Sequence, residues 1–199
     1  MGKKYKHIFV LTGAGISAES GLATFRGSDG LWNNHKVEDV ATIEGFEKNP
    51  QYVHQFYNEL KPELLNAKPN LAHNYLAKLQ KEYGAKVDIV TQNVDILHEK
   101  AGAENVYHIH GKIDEAICLN CGHVIQSWDD VDMSTACPHC SVCGMFKPHI
   151  VFFGEMPLYM PEVEKNYENV ICLYQLALQE LYTLLQGLCI PLNIMVRIQ

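Results

Sequence analysis

An apolar run, His7-Ile-Phe-Val-Leu11, leads straight into Thr12-Gly-Ala-Gly-Ile-Ser-Ala-Glu-Ser-Gly-Leu-Ala-Thr-Phe-Arg-Gly27, and no other stretch restricts the fold as much. The run reads as a short buried strand. Gly13 and Gly15 then let the backbone turn tightly and come close to a ligand, and Ala18 completes the G-x-G-x-x-G/A dinucleotide pattern. A turn of this kind aims free N–H groups at a pyrophosphate. It commits the chain to open as a strand–turn–helix unit of a parallel α/β sheet.

Two more segments read as strands of that sheet, Val87 to Thr91 and His149 to Phe153, both short and rich in β-branched or aromatic residues. Pro69 to Gln80 is the clearest helix. Pro69 suits its first turn, and Leu71, Tyr75, Leu76 and Leu79 fall on one predicted face. Gln51 to Leu65 is a second helical stretch, with Pro62 expected to break or kink it. A chain of 199 residues with 47% apolar content can bury one core plus a small satellite module. The net charge of −7 argues against nucleic acid as a main partner. The apolar run after the basic Met1-Gly-Lys-Lys-Tyr-Lys6 is too short for a signal peptide. Seven cysteines without such a leader read as thiols or metal ligands in a reducing, cytoplasmic setting.

Between about Ile117 and Met145 the composition shifts to cysteine, histidine and short polar residues. Cys118-Leu-Asn-Cys121 and Cys137-Pro-His-Cys140 are two C-x-x-C knuckles with the spacing of a tetrahedral zinc site. Cys140-Ser-Val-Cys143 overlaps the second knuckle and His139 lies inside it, so the fourth ligand has alternatives. Cys137 and Cys140 are the favoured pair. Structural zinc contributes roughly 10–16 kcal/mol in small fingers, more than the few apolar residues here could supply.

Thr91-Gln-Asn-Val-Asp-Ile-Leu-His98 follows a predicted parallel strand, where α/β sheets place ligand-binding groups. By spacing alone, Asn93 and Asp95 are turn and cap residues as readily as ligand-binding ones. His108-Ile-His-Gly111 puts two imidazoles on one side of a strand, of which His108 is open to a purely structural role. An imidazole near pKa 6.5 can take a hydroxyl proton at neutral pH. Phe146-Lys-Pro-His-Ile-Val-Phe-Phe-Gly-Glu-Met-Pro157 follows the cysteine segment.

These strings, in this order, resemble the motifs of the sirtuins, NAD-dependent protein deacylases, from about His7 to about Met160. Gly30-Leu-Trp32, Glu38-Asp-Val40 and Phe56-Tyr-Asn58 resemble the bacterial class that includes desuccinylases. The resemblance implies a cofactor site of Gly13, Ala14, Gly15, Ile16, Phe25, Arg26, Trp32, Gln92, Asn93, Val94 and Asp95. Within it Asn93 and Asp95 shape the nicotinamide pocket and Gln92 touches the ribose. His110 is the implied catalytic base, and Val151, Phe153, Gly154 and Glu155 the edge that pairs with an acyl-lysine peptide. The implied products are nicotinamide, free lysine and O-acyl-ADP-ribose.

Two departures qualify this. The class recognises acidic acyl groups with Y-x-x-R, but after Tyr57 the arginine position holds Leu60. An isobutyl group cannot make a guanidinium's bidentate bonds, and Lys61 points about 100° away on a helix. Deacetylation is therefore expected, with weak or absent desuccinylation. Secondly, the family continues past F-G-E into a strand, a G-T-S loop that holds NAD, and further strands. Here Val170 to Ile190 carries an amphipathic helical pattern, and Gln175, Gln179, Glu180, Gln186 and Pro191 exclude a membrane span. Back-translated one base out of frame, permitted codons give the family's continuation, G-T-S-G included. A tail in a shifted frame is expected.

The expected fold is α/β: a Rossmann-like parallel sheet with helices on both faces, a small zinc-ribbon insertion, and the C-terminal Rossmann strands missing. The expected organisation is 1–116 for the first part of the NAD-binding domain, 117–145 for the zinc module, 146–165 for the return to the first domain, and 166–199 for the aberrant tail. The implied function is NAD-dependent protein-lysine deacylation with one structural zinc, acyl-lysine proteins as partners, and no nucleic acid or membrane. The competing expectation is an inactive remnant, at most a zinc-bearing peptide-binding domain.

Overall fold

A computed structural model describes residues 7–23, 31–82, 86–167 and 172–176. Phe25 and Arg26 of the expected cofactor loop lie outside these residues, as does the tail beyond 176. The expected opening is present. Strand β1 (His7–Thr12) enters the glycine turn and a 3-10 segment over Ala14–Ser20. It lies inside a four-stranded parallel sheet of order β5-β4-β1-β9, with β4 at Lys86–Thr91, β5 at Val106–His108 and β9 at Cys172–Leu176. Where the tail carries a helical pattern, residues Cys172–Leu176 form a strand instead, because they pair in parallel along β1.

Alternation along the strands explains why both faces are covered. Ile8 and Val10 of β1 join Val87 and Ile89 of β4 on one face, under Leu76 and Ala77 of a long helix. Phe9 and Val90 face the other way and meet Ile109 and the half-buried Val163. The first helix is α4 (Leu71–Glu82) and the second α6 (Met160–Tyr167), one on each face. The predicted face of α4 is corrected here. Leu71 and Tyr75 are 72% and 69% exposed, and His73, Leu76 and Ala77 are buried instead. The real face runs through His73, Leu76 and Ala77, the last two packing on the sheet cluster.

A short hairpin, β2 (Leu31–Trp32) and β3 (His35–Lys36), turns through Asn33 and Asn34, both with positive φ. Three helices follow: α1 (Val37–Val40), α2 (Ile43–Lys48) and α3 (Pro50–Asn66). Thr42 caps α2 by accepting from the Gly45 amide, and Asn49 caps α3 by accepting from Tyr52. Helix α3 runs through Pro62 without the expected break. Its buried face, Val53, Phe56, Tyr57, Leu60 and Leu64, holds it by burial worth roughly 1.5–3 kcal/mol per large side chain, enough to offset the ~3 kcal/mol cost of an interior proline.

The cysteine segment is framed by an antiparallel sheet of order β7-β6-β8: β6 (Gly111–Cys118), β7 (Val124–Gln126) and β8 (Phe146–Ile150). This corrects the third predicted strand. It is shifted toward the N-terminus and belongs to the antiparallel sheet, because β8 pairs with β6 from Cys118 through Gly111. Beyond β8 the chain stays extended, with the Phe153 amide donating to the Ala41 carbonyl. Ile113 of β6 and Ile150 of β8 sit in one cluster with the α1–α3 residues, which docks this sheet on the helices.

Candidate active site and metal centre

Three loops leave the carboxyl ends of adjacent parallel strands: Gly13–Ser17 after β1, Gln92–Ile96 after β4, and Ile109–Gly111 after β5. This is where open α/β sheets bind ligands. Backbone bonds tie the loops together, Gln92 donating to the Thr12 carbonyl at 3.0 Å and Ile109 to the Thr91 carbonyl at 3.0 Å.

Side chains complete the arrangement. Ser17 Oγ donates to Asp95 Oδ2 at 2.9 Å and accepts from Asn93 Nδ2 at 3.0 Å, all three residues being buried. Asp95 Oδ1 accepts from the Leu97 amide at the start of α5 (Leu97–Lys100). The turn role open to Asp95 is therefore real, yet its other oxygen serves the inter-loop bridge. Asn70 holds the first loop from beneath, its Nδ2 donating to the Ile16 carbonyl at 2.7 Å. Thr12 Oγ1 pairs with His98 Nε2 at 3.1 Å. Burial drives the His98 pKa down to about 3, so the ring is neutral. Gly13 and Ile16 are buried, Ala14 and Gln92 half-buried, and Gly15 exposed at the mouth. Val94 and Trp32 pack against the α1–α3 cluster.

His110 stands between this pocket and the β6 sheet. Its Nδ1 lies 3.1 Å from the Gln92 carbonyl, which can only accept, so Nδ1 carries the proton and Nε2 keeps its lone pair. Burial lowers the His110 pKa, opposed by the Gln92 carbonyl, and the ring is a neutral base at pH 7. Gly111 adopts φ +82, and a Cβ there would lie 1.8 Å from the His149 carbonyl oxygen. Only glycine lets β6 start against β8 right after His110, and the Val151 amide then donates to the His110 carbonyl.

The expected peptide edge is adjacent. Val151 is half-buried, Phe153 is 58% exposed, and Gly154 turns at φ +90. Glu155 Oε2 accepts from the Phe152 amide at 2.7 Å and from buried Lys147 at 3.0 Å. Tyr57 and Leu60 both lie in the core beside Phe152. The Tyr57 hydroxyl has no hydrogen-bond partner among the described residues, and its pKa is raised by burial and by Glu155. Leu60 offers it none. Lys61 turns away to donate to the Asp129 carbonyl.

The four expected cysteines converge. Cys118, Cys121, Cys137 and Cys140 bring their sulfurs within 4.8 Å of one another, with Cys118–Cys140 and Cys121–Cys137 both at 3.7 Å. A tetrahedron with Zn–S of about 2.3 Å has edges of about 3.8 Å, so the thiolates fit one zinc ion. The knuckles match each other: Gly122 N donates to Cys118 O, Ser141 N to Cys137 O, both at 2.8 Å, and Gly122 and Ser141 both have positive φ. Cys143 is exposed and outside the set.

The Sir2 family model matches residues 13–173. The chain belongs to the Sir2 family. It is similar to the NAD-dependent protein deacylase SIR2rp3 of Leishmania major, 54% identical over 168 residues, covering 81% of this chain and 69% of that protein. Among solved structures it resembles a Sir2 homolog–NAD complex at TM-score 0.76 and 35% identity, covering 86% of this chain and 68% of that one. It also resembles a Sir2 bound to acetylated peptide at TM-score 0.70 and 30% identity, covering 86% and 70%. In this sirtuin, motif reasoning missed Ser17, Asn70 and His98 as parts of the site. Ser17 lies within the glycine string, but nothing in its spacing announces a partner 76 or 78 residues away.

Proposed function

We infer that this sirtuin is an NAD-dependent protein-lysine deacylase with His110 as the general base, working on acetyl-lysine in preference to succinyl-lysine. The observation that carries the reading is His110, neutral and held in one tautomer by the carbonyl of Gln92, the residue next to Asn93 of the Ser17–Asn93–Asp95 bridge. The donor set suits NAD: a glycine turn for the pyrophosphate, and a buried amide and carboxylate for the nicotinamide carboxamide. When bound, NAD supplies the ribose that accepts the acyl group as nicotinamide leaves.

This chain's residues do the rest. Asp95 and Asn93, fixed by Ser17, orient the carboxamide. His110 Nε2 accepts a ribose hydroxyl proton. Phe153 to Glu155 present backbone to an extended substrate peptide, as an added strand. Zinc on Cys118, Cys121, Cys137 and Cys140 holds the module that flanks the peptide and takes no part in the chemistry. Reduced thiols at the metal site favour a cytoplasmic setting, and among the described residues no helix is long and apolar enough to cross a membrane.

Leu60 carries the acyl preference, since no guanidinium stands one turn from Tyr57 to meet a carboxylate. The test is nicotinamide release by the purified chain with matched acetyl- and succinyl-peptides. Release is expected to require acyl-peptide, to run at least about tenfold faster with acetyl, and to fall about 10²–10⁴-fold in His110→Ala. Equal rates for the two peptides would refute the preference. Zinc at one per chain with no NAD binding would favour the inactive peptide-binding reading.

A further inference from the structure

The two histidines of His108-Ile-His110 act on successive peptide units of one loop. His110 Nδ1 donates to the Gln92 carbonyl, and His108 Nδ1 donates to the Asn93 carbonyl at 2.9 Å. His108 is buried, and its Nε2 lies 2.7 Å from Oε1 of Glu99 on α5. The Asn93 carbonyl can only accept, so Nδ1 carries a proton. A 2.7 Å contact from Nε2 to a carboxylate requires a second proton between them. Burial alone would raise the Glu99 pKa, but the His108 bond and charge, with Lys112 nearby, bring it below its ordinary value. The Glu99 carboxylate and the His108 ring share that proton.

The contacts close a ring around the β4 loop. His108 grips the Asn93 carbonyl and Glu99. Glu99 sits on α5, whose Leu97 amide donates to Asp95, and Asp95 accepts from Ser17, which accepts from the Asn93 side chain. We propose that Glu99 and His108 are positioning residues: their hydrogen bond fixes the Gln92–Asp95 backbone, so that Asn93 and Asp95 face the nicotinamide and the Gln92 carbonyl stays on His110. Neither residue touches the reacting atoms. The proposal rests on the deacylase reading of the same site, which assigns that loop to nicotinamide.

The full chain carrying Glu99→Gln, His108→Gln or both tests it. In the unsubstituted chain, ¹⁵N spectra should show the His108 Nε2 hydrogen-bonded to Glu99, and Glu99→Gln should shift that resonance. Amide exchange over residues 92–95 should then speed up about tenfold or more while β1 and β4 keep their protection. The KM for NAD should rise about tenfold with the KM for acyl-peptide unchanged. The double variant should lose little more than either single one. A His108 Nε2 resonance unmoved by Glu99→Gln, or unchanged exchange over 92–95, overturns the proposal. So does an equal rise in both KM values with a lowered Tm, the mark of general destabilisation. An unsubstituted chain without NAD turnover would instead refute the deacylase reading, and spectra and exchange would still decide the pairing.

Discussion

Ser17 shows how much one side chain can carry. Its hydroxyl donates to Asp95 and accepts from Asn93, so both groups that would face nicotinamide depend on it. Ser17→Ala leaves a buried amide and a buried carboxylate oxygen each one partner short, at roughly 1–3 kcal/mol per unsatisfied group. The expected result is a lower urea midpoint together with at least a tenfold loss of NAD affinity by calorimetry. Unchanged affinity would mean that the bridge is scaffolding only. Tyr57 is the opposite case, a buried hydroxyl with no partner among the described residues, in one cluster with Leu60.

Among the elements, the zinc module depends most on something outside its own packing. Its core is Ala116, Cys118, Val131, Cys137 and Phe146, of which two belong to the converging cysteine set that would hold zinc. Removing the metal should therefore melt residues 118–145 and spare the parallel sheet, whose clusters lie elsewhere. Amide exchange with and without a strong chelator would show this. Cys137→Ser should lose zinc, and Cys143→Ser should keep one ion per chain. The same principle explains where pattern reading failed. Helix α4 was expected to bury Leu71 and Tyr75, yet its contact face is chosen by the sheet it meets. The 149–153 run fits either sheet by pattern, because its apolar residues look alike in both.

Across the whole molecule, several histidines are buried without charge. Burial lowers the pKa values of His54, His73 and His98, the last to about 3. His73 and His98 sit ring to ring at 4.9 Å, behind the cofactor loop. With a folded pKa below the unfolded value near 6.5, the unfolded chain takes up protons first as pH falls. Their stabilisation is whole above about pH 6.5 and is lost below it, at about 1.4 kcal/mol per pH unit for each group. Glu99 and Glu115, with lowered pKa values, add losses at still lower pH. Urea midpoints should stay level from pH 8 to 7 and fall steadily from 6.5 to 4. A level midpoint down to pH 5 would contradict this.

Local chemistry was legible before any fold was known. The glycine turn, the two C-x-x-C knuckles and the glycine after His110 each impose a conformation or a ligand geometry within a few residues. Their side chains carry that information themselves. The bridge from Asn93 through Ser17 to Asp95, the Asn70 support of Ile16 and the His108–Glu99 pair were not legible. They join segments brought together by strand order and helix docking, which hydrophobic periodicity does not encode. The motif strings carried the family resemblance, and tertiary packing decided which polar neighbours hold their side chains in place.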